Sequence, residues 1–408
     1  MSPFYKLLKL VLKYLYQFVW GYFFLYAIIL IKPILLVRIG ELESRAIGHF
    51  SLSVEIYLSE LDRGIYDCKS RHIDLFFINR KKCNDVLVKK WKSFFRFLPA
   101  LLLKPTFLLL LEFDSHREHL VPFRHWKIYS LASGYWQNCD IHDVLPKTRP
   151  HLKFTEQEHY AASQQAFSMG ISPGDKLICF HARDPSYRSG SDAPFSFRDS
   201  SINLQVQAML ELAELGYKVV RVGKRVLEHL DCNHPNVIDY ANTNIRSDLM
   251  DLYLISRCSF MVGTGSGIDA VASVFRIPVI YVNLADWGYL DQYSEWLWPL
   301  FIPKKLCWKS SGALLTFNEI YKLDLHCATH DSLYSEAGVD YLSNSPVEIA
   351  DLVLEAEARL SGVWLDTQED IILQERFKRS LKPRFPGARV LSSRIGAKFL
   401  RQHAYLLD

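Results

Sequence analysis

The chain has 408 residues, 48 basic and 44 acidic side chains, a net charge of +4, 49% hydrophobic residues and 23% charged residues. These proportions fit a globular protein of two or three domains and exclude a disordered chain, a collagen and a disulfide-framed miniprotein. A net charge this small over this length does not point to nucleic acid as the main partner, and none is expected.

The first 38 residues differ from the rest. Lys6, Lys9, Lys13 and Gln17 recur at spacings of three and four, which on a helix makes one polar line among Phe4, Leu7, Leu8, Leu10 and Val11. Phe18 to Ile31 carries no charge, and Tyr14 to Ile31 is 18 residues long, at the lower limit for a membrane span. No small-residue cleavage site follows, so a removable signal peptide is not expected. Lys32-Pro33 leads directly into a strand pattern, with no polar stalk. The expectation is an apolar amphipathic helix over residues 1–33 lying on the membrane surface. A true span, or a helix packed on the protein's own core, are the alternatives.

The next block, residues 34–165, alternates strand and helix patterns. A strand at Ile34–Ile39 is followed by a loop from Gly40 to His49. A helix with Ile47, Phe50, Val54, Tyr57 and Leu61 on one face comes next. A strand at Asp74–Ile78 and a helix from Asn84 to Phe97 follow. The apolar stretch Phe97 to Leu111 reads as a core helix and strand, or as a second membrane contact.

Residues 166–375 repeat the alternation more clearly. Strands are expected at Lys176–Phe180, Tyr217–Val222, Val237–Tyr240, Phe260–Val262 and Val279–Val282. Helices lie between them: one carries Ile202, Val206, Met209 and Ala213 and stops at Gly216, and another is capped by Ser247. Such alternation implies α/β architecture, with parallel sheets covered by helices in two Rossmann-like domains. Residues 376–408 form a basic tail: nine cations (Arg376, Lys378, Arg379, Lys382, Arg384, Arg389, Arg394, Lys398 and Arg401) and no acid before Asp408. It is read either as solvated or as attracted to anionic headgroups. The eight cysteines include no C-x-x-C pair, so a zinc site is not expected and the thiols are read as reduced.

In open parallel sheets, ligands bind beyond the carboxyl ends of the strands, and in the second block those ends are polar. Gly263-Thr264-Gly265-Ser266-Gly267 separates a strand from a helix and is expected to offer backbone N–H groups and hydroxyls to a phosphate. It matches neither the P-loop nor the G-x-G-x-x-G spacing. His181, Arg183 and Asp184 stand at one strand end, Arg221, Gly223 and Lys224 at another, and Asp239 and Tyr240 at a third. Arginine and lysine suit a diphosphate, and a carboxylate suits a ribose or base. The loop Tyr187 to Phe197 is expected to order over a ligand. With no D-x-D anywhere in the chain, no metal site is expected. Neutralisation of a leaving diphosphate is assigned to Arg183, Lys224 and the helix start at Gly267.

His181-Ala182-Arg183-Asp184, Tyr217 to Gly223, Ile238-Asp239-Tyr240-Ala241, Arg246-Ser247-Asp248 and Val262 to Gly267, with Arg38-Ile39-Gly40 and Ile47-Gly48-His49, resemble a family of bacterial glycosyltransferases. The H-x-R pattern and the V-G-T-x-S turn are more distantly similar to fucosyltransferases with the two-Rossmann (GT-B) fold. Asp184 stands where the fucosyltransferase motif carries a second arginine, which leaves the donor sugar open. The resemblance implies a metal-independent glycosyltransferase. It would need no cofactor beyond a nucleotide-diphosphate sugar as donor, and its acceptor would be a glycan, lipid-linked or envelope molecule. The donor would lie on the second domain. His49, Glu41, Glu43 or His181 would be the candidate base, and Arg183 would steady the leaving group. The expected location is the cytoplasmic side of a membrane, peripheral or held by one N-terminal anchor. An epimerase or hydrolase of sugar nucleotides, or a non-catalytic scaffold, are the other classes considered.

Overall fold

The computed structural model describes residues 3–66, 71–112, 114–122, 140–187, 196–292, 300–381 and 391–408. The chain divides into two compact units, Met1–His151 and Leu152–Asp408. The expected boundary at 165/166 falls instead inside a helix, Glu156–Ser168, that belongs to the second unit.

In the first unit, α1 spans Pro3–Ile31 and is followed, after a turn at Lys32–Ile34, by strand β1, Leu36–Leu42. All seven residues of β1 are buried, so Gly40 and Glu41 lie in the strand rather than in the expected loop. Helix α2 covers Val54–Asp62 and strand β2 His72–Ile78. Helix α3, Asp85–Trp91, is capped by the Asn84 side chain accepting from the Leu87 amide. Strand β3 is Arg96–Phe97 and helix α4 is Ala100–Glu112. The stretch read as helix plus strand is thus mainly one helix, which keeps Pro105 inside it.

The sheet has the order β1-β2-β3, all parallel, and Leu120 bridges to Ile39 on the outer side of β1. Alternation along β1 sorts its side chains. Val37 and Ile39 enter a core with Leu25 and Ile28 of α1, Phe77, and Leu103, Phe107 and Leu110 of α4. Burial of each such side chain contributes roughly 1.5–3 kcal/mol. Arg38 lies between them in the alternation and sits opposite Asp74 in the register. It makes a bidentate pair at 2.6 and 2.8 Å, and the Tyr57 hydroxyl also donates to Asp74. Among the described residues no helix is long and apolar enough to cross a membrane.

The second unit opens with helix α5, Glu156–Ser168, started by a Thr155/Glu158 capping box. Strand β4 (Leu177–Phe180), helix α6 (Val206–Glu214), strands β5 (Lys218–Arg221) and β6 (Val237–Ile238), and helix α7 (Asp248–Arg257) follow. Gly216 ends α6 at a φ of 86°, and Ser247 caps α7. Then come strand β7 (Cys258–Gly263), the short helix α8 (Asp269–Val274), and strands β8 (Val279–Leu284) and β9 (Leu300–Pro303). Strands β10 (Lys305–Trp308) and β11 (Val339–Leu342) form a separate antiparallel pair, with helices α9 (Phe317–Lys322) and α10 (Asp331–Glu336) between them. Helices α11 (Pro346–Leu360) and α12 (Gln368–Ser380), strand β12 (Arg394–Ile395) and helix α13 (Ala397–Gln402) finish the chain.

The seven-stranded sheet has the order β12-β9-β8-β7-β4-β5-β6, and every pair is parallel. The chain adds β5 and β6 on one side of β4, then returns to add β7, β8 and β9 on the other. This is the strand order of a Rossmann fold. The basic C-terminal segment corrects an expectation: its described part is structure, not solvated tail. Strand β12 extends the sheet next to β9, and Ile395, Phe399 and Leu400 are buried. Arg376, Arg394, Lys398 and Arg401 pair with Asp408, Asp366, Asp351 and Asp370, while Lys382, Arg384 and Arg389 lie outside the described residues. Phe377 packs with Trp287 and Phe317, so part of the aromatic surplus fastens this segment to the domain.

Gly40 is set by packing: a Cβ there would come within 2.7 Å of the Phe76 ring and 3.2 Å of Val121. Gly40→Val is expected to lower stability by about 1–3 kcal/mol through overpacking, read as a lower denaturant midpoint with unchanged slope.

Candidate functional site

The strand order of the second unit reverses between β4 and β7. The flanking chains diverge there, so the carboxyl ends of these two strands border a crevice. His181-Ala182-Arg183-Asp184 leaves β4 and Gly263-Thr264-Gly265-Ser266-Gly267 leaves β7, so the fold brings the two main motifs together. The Arg183 amide donates to the Thr264 hydroxyl at 3.0 Å, and the Arg183 carbonyl accepts from the Ser200 amide at 3.0 Å. The arginine backbone is therefore held from both sides. Its guanidinium lies 3.3 Å from Asp199, whose carboxyl is pushed up by burial against the opposing pull of Arg183.

The segment carrying Asp199 is itself fixed. Asp331 accepts from the amides of Ser196 and Phe197. Lys304, at the end of β9, donates to the carbonyls of Phe197 and Asp199 at 2.8 and 2.7 Å. Burial lowers the Lys304 ammonium to about 8. Arg198 pairs with Asp286 beyond the end of β8. The part of the expected ordering loop at residues 188–195 lies outside the described residues.

Several predicted site residues hold the domain together. His181 Nδ1 lies 2.9 Å from the Val222 carbonyl, and burial lowers its imidazole to about 4, so it is a neutral strut between β4 and β5 rather than a base poised near neutrality. Asp184 accepts from the amides of Ser186, Leu227 and Glu228. Burial alone would raise its carboxyl, but these bonds outweigh it and hold it below the usual range. Arg221 is buried and donates to the Glu228 carbonyl and to Asp239, and Asp239 also accepts from Leu230 and Asn242. The Tyr240 hydroxyl is engaged with Ser247. Lys224, half exposed, pairs with Asp248.

The glycine turn is corrected in the same way. The Asp269 carboxylate accepts from the Ser266 amide at 2.7 Å and from the Ser266 hydroxyl at 3.3 Å, so it takes donors expected to serve a phosphate. Burial raises its carboxyl to about 7, with bonds from Ser266 and Gly265 opposing. A Cβ on Gly263 would lie 2.6 Å from this carboxyl, which is why glycine ends β7. Gly265 has a φ of 78°, the left-handed geometry the turn requires. Asp269, Asp286 and Lys304 were not singled out from the sequence, and Arg198-Asp199 was noted there only as the pair that follows the ordering loop. Only Asp269 had a local signal, the S-x-x-D spacing from Ser266.

Two candidate bases of the first unit, Glu41 and Glu43, stand at the end of β1, and the third, His49, opens the helical turn that follows. Glu41 is buried and accepts from Asn79 at 2.6 Å, and Asn79 in turn accepts from Lys104 of α4 at 3.2 Å. Glu43 pairs with Arg45; burial would raise its carboxyl, but Arg45 holds it below the usual range. His49, half-buried, opens a π-helical turn, His49–Ser53. Among the described residues no cluster of three or more His, Cys, Asp or Glu side chains is placed to hold a metal ion.

No protein-family model matches this sequence, and no curated protein matches it. Among solved structures, the Escherichia coli ADP-heptose lipopolysaccharide heptosyltransferase II is similar at 14% identity over 79% of this chain and 100% of that chain, with a TM-score of 0.41. A family 9 glycosyl transferase from Veillonella parvula is similar at 13% identity over 61% and 80% of the two chains, with a TM-score of 0.37. The E. coli heptosyltransferase WaaC with ADP is similar at 13% identity over 60% and 87%, with a TM-score of 0.30. None of these three reaches a TM-score of 0.5, and the reading of the site rests on this chain's own residues.

His181 and Asp269 act on stability with opposite sign. His181 shifts from 6.5 to about 4 on folding, so the unfolded chain holds the extra proton between those values and stability falls as pH is lowered through them. Asp269 shifts from 3.8 to about 7, so the folded chain holds the extra proton and stability rises as pH is lowered from 7. In Asp269→Asn the histidine is left uncompensated. Its unfolding free energy is expected to fall between pH 6.5 and 4 more steeply than that of the parent, in urea titrations at each pH.

Proposed function

We infer that the chain is a glycosyltransferase that takes a nucleotide-diphosphate sugar at the β4/β7 crevice of its second unit. The sugar passes to a glycan, lipid-linked or envelope acceptor. The observation that carries this reading is Arg183: a backbone held by Thr264 and Ser200 presents a guanidinium whose facing carboxylate, Asp199, is one an anionic ligand can displace.

Transfer leaves a nucleoside diphosphate carrying new negative charge. An arginine whose backbone is already held at a strand end stabilises that charge once its guanidinium exchanges Asp199 for the diphosphate. Lys224 adds a second cation at the end of β5, and the Thr264 hydroxyl, which accepts from Arg183, keeps its own proton for a phosphate oxygen. In this reading the two side chains neutralise the leaving group without a metal. An inverting transfer needs a base to take the proton of the attacking hydroxyl, and Glu41 and His49 are the candidates for that role. His181 is the weaker candidate base, because burial lowers its proton affinity and its Nδ1 is committed to the Val222 carbonyl.

A panel of UDP-, GDP-, CMP-, dTDP- and ADP-sugars is expected to contain a ligand that raises the melting temperature. Arg183→Ala is expected to weaken that ligand at least about tenfold by calorimetry, as loss of a charge-assisted contact predicts. Asp199→Asn, which removes the competing charge, is expected to bind at least as tightly as the parent. Unchanged affinity in Arg183→Ala would remove the arginine from the site, and no shift across the panel would remove the nucleotide. Product analysis with and without acceptor separates transfer from epimerisation and hydrolysis.

A further inference from the structure

Helix α1 is held on one side and open on the other. Leu25 and Ile28 enter the core of the first unit, the Trp20 indole donates to the Leu102 carbonyl and the Tyr16 hydroxyl to the Leu101 carbonyl. Thr106 of α4 donates to the Gly21 carbonyl. On the other side, Leu15, Phe18, Val19, Phe23, Tyr26 and Leu30 are between 57% and 80% exposed. Their spacing of three and four makes one continuous stripe along the helix. Leu101, 67% exposed at the start of α4, lies beside it through the Tyr16 bond. These exposures amount to roughly 700 Å² of apolar surface, above the few hundred Å² that soluble monomers usually leave open.

We propose that this α1–α4 face docks on an anionic lipid bilayer, with α1 lying in the interface and not crossing it. The first 40 residues hold no acid, and α1 carries Lys6, Lys9 and Lys13, so the segment complements a negative surface; Lys32 and Arg38 are instead paired with Glu118 and Asp74. No described helix is long and apolar enough to cross. The stripe is rich in aromatic rings, with Trp20, Tyr22 and Tyr26 on the same helix, the residues that settle at the headgroup level. A surface helix gains from both terms: apolar burial and attraction of its cations to headgroups. Part of α1 is committed to α4, so the bilayer meets a preformed face and not a helix that must fold on contact. This inference stands on the first unit alone and does not depend on the transferase reading.

Co-sedimentation of the full chain with vesicles of phosphatidylcholine, with and without phosphatidylglycerol, tests it. The chain is expected to pellet with the anionic vesicles and to be partly released by salt. Phe18→Ser/Phe23→Ser is expected to lower the bound fraction about tenfold with an unchanged melting temperature, because both positions are exposed. Val19→Ser/Tyr26→Ser provides a second pair with the same expectation. A chain that stays in the supernatant with both vesicle types, or serine variants that pellet like the parent, overturns the proposal. So does light scattering that shows a lipid-free dimer dissociated by the same substitutions while vesicles go unbound, because the stripe would then cover a second copy.

Discussion

The hydrogen bond from the Arg183 amide to the Thr264 hydroxyl spans the place where the large sheet reverses its strand order. A parallel sheet wound outward in both directions from one strand must leave a crevice there, because the two connections depart to opposite sides. Everything polar at the site is arranged around that topological fact. Strand β4 delivers Arg183, β7 delivers Thr264, and the Ser200 amide closes on the arginine from the far side.

Most of the charge near the crevice is spent on the protein itself. Asp184 organises three backbone amides, Arg221 and Asp239 brace the ends of β5 and β6, and Asp269 caps the glycine turn. A buried donor or acceptor without a partner costs on the order of 1–3 kcal/mol, so a crevice rimmed with loop backbone consumes polar side chains simply to exist. Among the described residues Arg183 faces the Asp199 carboxylate, on a segment secured by Asp331 and Lys304.

The aromatic residues divide between two physical roles. Trp287, Phe301, Phe317 and Phe377 form a buried set that joins the C-terminal segment to the sheet. Along α1, rings pack on one another, and Phe18, tilted against Tyr22, remains open to solvent. The same composition can fill a core or face outward, and only the position of α4 decides which side of α1 is covered.

The amino-acid sequence by itself determined the local elements of the second unit. Period, the Ser247 cap, Gly216 and the short strand runs are near-neighbour effects, and each acts within a turn or two of chain. It also marked the two motifs that meet at the crevice. It did not reveal that Asp269 would occupy the glycine turn, that His181 would be neutral, or that the basic segment after Arg376 would become strand and helix. Those outcomes depend on residues far apart in the chain: the Val222 carbonyl beside His181, Phe301 accepting the amide of Gly396, and the Asp74 carboxylate across from Arg38. Burial and pairing of charge are set by which strands become neighbours, and strand order is a property of the tertiary fold alone.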